Sequence, residues 1–254
     1  MRRKMFKIIY RNAKEFVQFL SAVGKISDNI TINLTEEGMI SRHLTEDNSM
    51  MSVINISKEV FDEYVIEKPV SINMDIASLK KVLRKVTGKK STIEISESEV
   101  GIRVTLRDMS TGIKSTTYVK TEKSYNLQVL KEPNVSLSVS FTLEGKIFKH
   151  IVDEASLIGD QLNFKAEKDY IEIYSEGTGK LYKATLRSEK PLKELRIDSE
   201  TEAAYNMEHM KDVAKAIGSM KIITIEFGKN TPIKIYSKGE TGGYIGFWVA
   251  PRIL

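Results

Sequence analysis

The second half of this 254-residue chain repeats the first half in order and at a nearly constant spacing. Residues 79–82 (LKKV), 92–95 (TIEI) and 102–104 (IRV) correspond to residues 210–213 (MKDV), 224–227 (TIEF) and 233–235 (IKI). Matches in one order indicate a duplicated structural unit. A chain of this length can form two domains with separate cores. We therefore expect an N-terminal domain over residues 1–120, a connector over 121–134 and a C-terminal domain over 135–254.

Helical periodicity occurs twice in each copy. Asn12 is a suitable N-cap for a first helix, and Asp75 is a suitable N-cap for a second. A third helix is predicted over residues 143–158, with Leu143, Ile147, Ile151 and Ala155 buried, and a fourth near residues 207–217.

Apolar and polar residues alternate over long stretches between these helices. Clear examples are residues 92–96, 102–108 and 114–120 in the first copy and residues 161–166 in the second. Alternation with period two is typical of antiparallel sheet with one solvated face. Long runs of strands without intervening helices predict an α+β fold and argue against a doubly wound α/β fold.

The composition limits the classes of protein to which the chain can belong. It has no cysteine, so disulfides and thiolate metal sites are excluded. It contains no apolar run of transmembrane length, and its basic start lacks the apolar stretch of a signal peptide. We expect a cytoplasmic protein. The net charge of +5 is too small to identify a nucleic-acid binder by itself, so any binding face depends on how charge is distributed in space.

No pattern of catalytic residues is present. His43, His150 and His209 are far apart and have no metal-ligand spacing. Residues 88–91 (GKKS) and 177–180 (GTGK) do not match a phosphate-binding loop and favour hairpin turns. We expect a protein that is not an enzyme and that uses no cofactor and no metal.

Basic residues recur on one face of the predicted helices. Lys80 and Arg84 lie four residues apart, as do Lys81 and Lys85, and the fourth helix repeats this spacing. An ordinary solvated helix face explains any one of these groups. Equivalent placement in two copies favours a surface that contacts phosphate. Because no aromatic residue alternates with these lysines, base stacking on single strands is not expected, and we expect contact with backbone phosphate that is sequence-independent and salt-sensitive.

Four further segments resemble the archaeal sliding clamps of the proliferating cell nuclear antigen (PCNA) family. They are residues 5–8 (MFKI), 41–47 (SRHLTED), 156–160 (SLIGD) and 247–253 (FWVAPRI). The resemblance implies a DNA clamp fold with two similar domains, each with antiparallel sheets and two inner helices. Three subunits would form a ring around duplex DNA, associated with the nucleoid. Such a ring is a processivity factor for DNA polymerase in replication and repair.

The resemblance also implies partners and site residues. The partners are sister clamp subunits, duplex DNA, DNA polymerase, flap endonuclease, DNA ligase and the clamp loader. The cations expected to face DNA are Lys80, Lys81, Arg84, Lys85, Lys114, Lys146, Lys149, His150, Lys211 and Lys215. The pocket expected to bind partner peptides comprises Met50, Leu130, Pro232, Trp248, Ala250 and Pro251. The expected subunit interface comprises Asp108, Lys114, Thr116 and Tyr118, with Lys180, Tyr182 and Ala184 of the neighbour.

Two features bear on the assembly and the strength of DNA contact. Residues 42–47 (RHLTED) and the Phe247-Trp248 pair most resemble the branch in which three different subunits form one ring, so a heterotrimer is favoured over a homotrimer. Asp153 is expected to weaken the positive field near the helix cations. The small net charge motivates an alternative, a clamp-like adaptor that assembles proteins with little direct DNA contact.

Overall fold

Two compact units divide the chain. The computed structural model describes residues 5–83, 90–127 and 129–252, with only the backbone at residues 82 and 83. Unit 1 comprises Met1–His43, Val53–Leu130 and Gly239–Ile245. Unit 2 comprises Leu44–Ser52, Lys131–Lys238 and Gly246–Leu254. Each unit thus includes a short segment from the other half of the sequence, which the repeat did not indicate.

Strands predominate over helices in the described residues. The helices are α1 (Ala13–Val23), α2 (Ile76–Leu83), α3 (Gly145–Ala155) and α4 (Met207–Ile217), with a short 3-10 turn at Lys58–Val60. The strands are β1 (Phe6–Tyr10), β2 (Asn29–Thr35), β3 (Gly38–Leu44), β4 (Met50–Ser57), β5 (Glu63–Ile66), β6 (Val70–Asp75), β7 (Ser91–Ser98), β8 (Gly101–Asp108), β9 (Lys114–Lys120), β10 (Glu122–Ser124), β11 (Val139–Leu143), β12 (Gln161–Glu167), β13 (Tyr170–Gly177), β14 (Lys180–Ser188), β15 (Pro191–Leu192), β16 (Glu194–Ile197), β17 (Thr201–Asn206), β18 (Ile223–Phe227), β19 (Ile233–Lys238), β20 (Tyr244–Val249) and β21 (Pro251–Arg252).

Unit 1 combines antiparallel sheet with two helices. One sheet has the order β5-β1-β7-β8-β9, and a second series of neighbours is β10-β6-β2-β3-β4. Helix α1 buries Phe16, Phe19 and Leu20, whose spacing places them on one face of the helix. Helix α2 buries Ile76 and Leu79 in the same way. The amphipathic periodicity of the sequence is therefore the direct cause of this packing.

Unit 2 repeats this composition of elements. Its sheet order is β15-β14-β13-β12-β17-β21, with a second series β20-β19-β18-β11-β16. Helices α3 and α4 pack against each other. Gly145 allows this close approach, since a Cβ there would lie 2.6 Å from the carbonyl oxygens of Ile217 and Met220. Both units are strand-rich with predominantly antiparallel pairing, so the α+β prediction is confirmed.

The predicted helix caps are present. The Asn12 side chain accepts the backbone N–H of Glu15 at 3.1 Å. The Asp75 carboxylate accepts the backbone N–H of Ser78 at 2.5 Å, which lowers the pKa of Asp75 together with a bond from the Ser78 hydroxyl. Short polar side chains at these positions satisfy N–H groups that have no partner within the helix.

The third predicted helix differs in its bounds from the structure. Leu143 belongs to β11, where it pairs with Ile223, so α3 begins at Gly145 and ends at Ala155 rather than spanning 143–158. The later start places Phe148 in the core and leaves Ile147 half-buried. In the predicted connector, residues 122–124 form β10, which pairs with β6. The predicted start of α3 was wrong because strand pairing satisfies backbone groups that local periodicity alone cannot assign.

Candidate functional site

The helix cations of unit 1 differ in their surroundings. The Lys80 ammonium donates to the carbonyl oxygen of Gly24 at 3.3 Å, at the C-terminal end of α1. A cation is favourable there because helix C-terminal carbonyls carry partial negative charge. Lys81 is exposed on α2, and Lys114 is exposed at the start of β9. Arg84 and Lys85, which were predicted to face DNA, lie outside the described residues.

The lysines of α3 and α4 in unit 2 all lie in ion pairs. Lys211 is 3.0 Å from Glu208 and Lys215 is 3.4 Å from Asp212. Lys149 pairs with Asp153, as expected for an acid close to these cations. The fourth pair joins Lys146 and Glu144 at 2.9 Å, and His150 is exposed.

Each of these two helices is formally neutral. Helix α3 (GKIFKHIVDEA) carries two lysines and two carboxylates, and so does α4 (MEHMKDVAKAI). Pairs between exposed side chains contribute only about 0–1 kcal/mol each, so the lysines can exchange partners. Because both helices are formally neutral, the summed electrostatic field at the surface of α3 and α4 is nevertheless weak. The ion pairs within the helices could have been predicted from the sequence, because Lys and Asp or Glu lie three or four residues apart in them.

An edge strand, paired on one side with β8, carries three of the predicted interface residues of unit 1. Strand β9 is the last strand of its sheet in the described residues. Lys114, Thr116 and Tyr118 alternate along it on one face, and Tyr118 is 60% exposed. Asp108 ends β8, where hydrogen bonds from the Ser110 hydroxyl and backbone N–H lower the pKa of its carboxyl group.

A second edge lies in unit 2. Strand β15 pairs with β14 only at Arg187 and Ser188, so the rest of β14 lacks a neighbour on that side within the described residues. The predicted residues Lys180, Tyr182 and Ala184 alternate along this open part. Edge strands with unpaired N–H and C=O groups are suited to pairing with another chain. Lys114, Thr116 and Tyr118 of unit 1 lie on such an edge as well, whereas Asp108 ends the neighbouring strand β8.

Trp248 contributes to a groove of about 390 Å³ in unit 2. Its indole N–H donates to Glu132 at 3.0 Å. The Lys234 ammonium lies 4.0 Å from the same carboxylate oxygen and 5.0 Å from the centroid of the Trp248 ring. Val135, Leu137 and Glu226 also line the groove. The groove thus combines apolar walls with charged groups.

Only Trp248 of the six predicted pocket residues lines this groove. Met50 is buried, and Pro232, Ala250 and Pro251 are half-buried in unit 2. Leu130 belongs to unit 1, where it is exposed.

Sequence reasoning missed Glu132, Glu226 and Lys234 as groove residues. The pairing of Glu226 with Lys234 across β18 and β19 follows from strand register, which alternation alone does not fix. Glu132 lies in the predicted connector, whose path no local pattern specifies.

A serine, a histidine and an aspartate meet elsewhere in unit 2. The Ser49 hydroxyl lies 3.4 Å from Nε2 of His209, and Asp47 lies 3.8 Å from the same nitrogen. A nucleophilic triad instead requires the two ring nitrogens to contact different partners. The Ser49 and Thr45 hydroxyls and the Ser49 N–H all donate to Asp47, which holds the pKa of its carboxyl group well below the usual range. The arrangement fixes a turn.

In residues 5–83, 90–127 and 129–252, no three His, Asp or Glu side chains converge as a metal site would require. In the same residues, no helix combines the length and apolar character needed to cross a membrane.

Solved structures identify the fold. PCNA from Thermococcus kodakaraensis superposes with a TM-score of 0.87 at 21% identity, covering 97% of this chain and 100% of that chain. The PCNA2–PCNA3 complex from Sulfolobus tokodaii gives a TM-score of 0.82 at 23% identity, covering 97% of this chain and 99% of that chain. At these identities the likeness establishes the fold, which is that of the DNA sliding clamps.

Sequence relatives establish the family. The model of the proliferating cell nuclear antigen N-terminal domain matches residues 5–122. The chain is 41% identical over 250 residues to DNA polymerase sliding clamp 1 of Saccharolobus solfataricus, covering 98% of this chain and 100% of that relative. The chain therefore belongs to the PCNA family of DNA polymerase sliding clamps.

Proposed function

We propose that this chain is one subunit of a three-membered ring that encircles duplex DNA and acts as a DNA polymerase processivity factor without catalysing a reaction itself. The observation that carries the proposal is the 41% identity to a DNA polymerase sliding clamp over the full length of that relative. Two structural units of similar composition per chain give six in a ring of three, with residues 121–134 as the proposed connector between the two domains of each chain.

Edge strands support the ring. Strand β9 in unit 1 and the open part of β14 in unit 2 each offer backbone groups for pairing with a neighbouring subunit. Pairing two different edges is a heterologous contact, which closes into a ring when the rotation per subunit permits. Asp108, Lys114, Thr116 and Tyr118 would meet Lys180, Tyr182 and Ala184 of the next subunit.

Different subunits in one ring are the favoured assembly, with a homotrimer as the alternative. The Saccharolobus solfataricus relative carries the number 1 in its name, and one fold neighbour is a complex of PCNA2 with PCNA3. Numbered clamps and a mixed complex indicate chromosomes that encode several related subunits. Residues 42–47 and 247–248 of this chain, which resemble the branch with three different subunits in one ring, also support a heterotrimer.

Contact with DNA would be electrostatic and independent of sequence. Lys81 on α2 is exposed, and the lysines of α3 and α4 can exchange a carboxylate for a phosphate oxygen. Each phosphate neutralised releases counterions, so added salt would weaken the contact. Lys80, Lys114, Lys146, Lys149 and His150 complete the proposed set, together with Arg84 and Lys85 from the sequence.

The Trp248 groove would bind a short peptide of a partner enzyme. A helical turn with aromatic anchors suits a groove with apolar walls. DNA polymerase is the first expected partner, followed by flap endonuclease, DNA ligase and the clamp loader. Association with DNA would place the protein at the nucleoid.

Retention on closed DNA tests the topological part of the proposal. The assembled ring is loaded onto a nicked circle, free protein is removed, and the circle is cut once. We expect the bound protein to dissociate from the cut DNA and to remain on a matched linear DNA whose ends are blocked by bulky proteins. Equal retention on open linear and circular DNA would contradict encirclement.

A clamp-like adaptor with little direct DNA contact is the second candidate. The observation that favours it is that all four lysines of α3 and α4 lie in ion pairs with carboxylates. Replacing Lys81, Arg84 and Lys215 together by Ala distinguishes the two. Unchanged processivity with intact partner binding would support the adaptor, whereas reduced processivity would support the DNA-tracking clamp. Replacing Lys58, Lys229 and Lys238, exposed lysines outside the four helices, is the matched control.

A further inference from the structure

We infer that a pocket of unit 1 binds the basic N-terminal segment of this chain, residues 1–4 (MRRK), through Glu99 and Tyr118. The segment lies outside the described residues, and the match to the PCNA N-terminal domain begins only at residue 5. Its three cations therefore precede the part of the chain that the family model covers. The contact would lie within unit 1, so it does not depend on the proposed ring.

The chain enters the first strand beside this pocket. The backbone N–H of Met5 donates to the Glu97 carboxylate at 2.9 Å. In the antiparallel register of β1 with β7, Lys7 lies opposite Ser96, so a continuation of β1 before Met5 would meet residues 98–100. Neighbouring strands lie about 5 Å apart, and three residues span up to about 10 Å before an arginine side chain adds its own length. The segment is therefore long enough to reach the pocket.

The pocket offers an accessible carboxylate. It has a volume of about 630 Å³ at the turn between β7 and β8. Its lining residues are Glu97, Ser98, Glu99, Val100, Arg103 and Tyr118. Two cations nearby already face carboxylates, since Lys123 is 2.7 Å from Glu97 and Arg103 is 2.8 Å from Glu94. Glu99 is exposed, so it is the acid expected to pair with a cation of the segment.

The pocket also suits the body of a basic side chain. Val100 is 59% exposed and Tyr118 is 60% exposed. Lysine and arginine pack their methylene stems on such apolar surface while the charged head reaches a carboxylate. The face of the Tyr118 ring additionally attracts a guanidinium. A segment with two arginines and a lysine can use both contacts at once.

The opposite side of β1 is less favourable for the segment. There the backbone N–H of Glu67 donates to the carbonyl oxygen of Met5 at 2.8 Å. The ammonium of the next residue, Lys68, lies 3.7 Å from the centroid of the Tyr125 ring. This cation would repel the basic segment and already covers an aromatic ring. Charge therefore favours the pocket over the side of β5.

Disulfide formation between engineered cysteines tests the contact in the full chain, which has no cysteine of its own. One variant combines Arg2→Cys with Val100→Cys in the pocket. Its control combines Arg2→Cys with Glu67→Cys, which is also exposed and lies on the other side of Met5. Mild oxidation at low protein concentration is followed by mass spectrometry. At low salt we expect the pair with Val100→Cys to close about threefold to fivefold faster, because an exposed ion pair gives a modest bias.

Charge variants separate recognition from the mere path of the chain. Adding Glu99→Gln, or raising the salt to about 1 M, should bring the two rates within about twofold of each other, since each removes the attraction. Glu36→Gln is the matched control at an exposed acid between β2 and β3, and it should leave the preference unchanged.

Three outcomes would overturn the inference. The first is equal closure rates of the two cysteine pairs in the unmodified background. The second is a preference that survives both Glu99→Gln and high salt, because the path of the chain would then explain it. The third is a disulfide between two chains in place of one within a chain, which would assign the pocket to a second copy.

Discussion

The Glu15 carboxylate accepts the backbone N–H of Glu240 at 2.6 Å, although the two residues are 225 positions apart. The Tyr10 and Thr241 hydroxyls donate to the other oxygen of the same carboxylate. Glu15 is only 6% exposed, so its carboxylate has lost most of its hydrogen bonds to water. The three donors replace those hydrogen bonds inside the protein. The cluster attaches residues 239–245 to the first helix of unit 1.

Replacing Glu15 should therefore destabilise the protein strongly. Glu15→Ala leaves several buried donors without an acceptor, and we expect a loss of about 2–4 kcal/mol in the free energy of unfolding. Urea denaturation measures it. Glu208→Ala is the matched control, since Glu208 is also an acid in the first turn of a helix but is exposed, and it should change stability by less than about 0.5 kcal/mol. Equal effects of the two substitutions would contradict the role of the cluster.

Stability should fall in acid partly because of Asp75. Hydrogen bonds from Ser78 lower the pKa of this carboxyl group in the folded protein. A lowered folded pKa stabilises the fold above the unfolded value of about 3.9, and this contribution is lost as the pH falls through the folded pKa. Asp75→Asn keeps an N-cap acceptor but cannot titrate. Unfolding measured from pH 6 down to pH 2 should show a shallower loss of stability for the variant, and curves that remain parallel would exclude Asp75 as a source.

A charge on the β9 edge should impair assembly. Tyr118→Arg places a cation on an exposed apolar position of the proposed interface, and we expect association with the neighbouring subunit to weaken at least about tenfold. Analytical ultracentrifugation with sister subunits measures this. Val65→Arg is the control, because Val65 is exposed on β5, the opposite edge strand of the same sheet. If Val65→Arg alone impaired assembly, the interface would be assigned to the wrong edge.

This chain alone should not form a stable trimer. In a heterotrimer each edge is complementary to a different subunit, so self-pairing of β9 with β14 is expected to be weaker than pairing with sister subunits. Native mass spectrometry of the isolated chain should give species smaller than a trimer, and sister subunits from the same source should restore it. A stable trimer of this chain alone would contradict the heterotrimer.

Local signals were sufficient for much of the fold. Asn12 and Asp75 cap helices as predicted because capping involves only residues two or three positions away. The buried face of α1 could likewise be predicted from the helical spacing of its apolar residues. Long runs of strands without intervening helices predicted the α+β class, and the characteristic segments predicted the clamp family. The comparisons bear out both predictions.

Contacts between distant segments were decided only by the tertiary structure. In sequence, Glu15 is an ordinary acid in the first turn of a helix; folding buries it against residues 240 and 241. The start of α3 shifted because Leu143 pairs with Ile223 in a strand. The Trp248 groove depends on Glu132, more than a hundred positions earlier in the chain. The sequence by itself determined where helices and alternating strands occur to within a few residues, since these follow from periodicity and local bonding, and its characteristic segments determined the family. The partners of the buried charge and of the charges in the groove were identified only by the tertiary structure, because strand register and chain path bring these residues together.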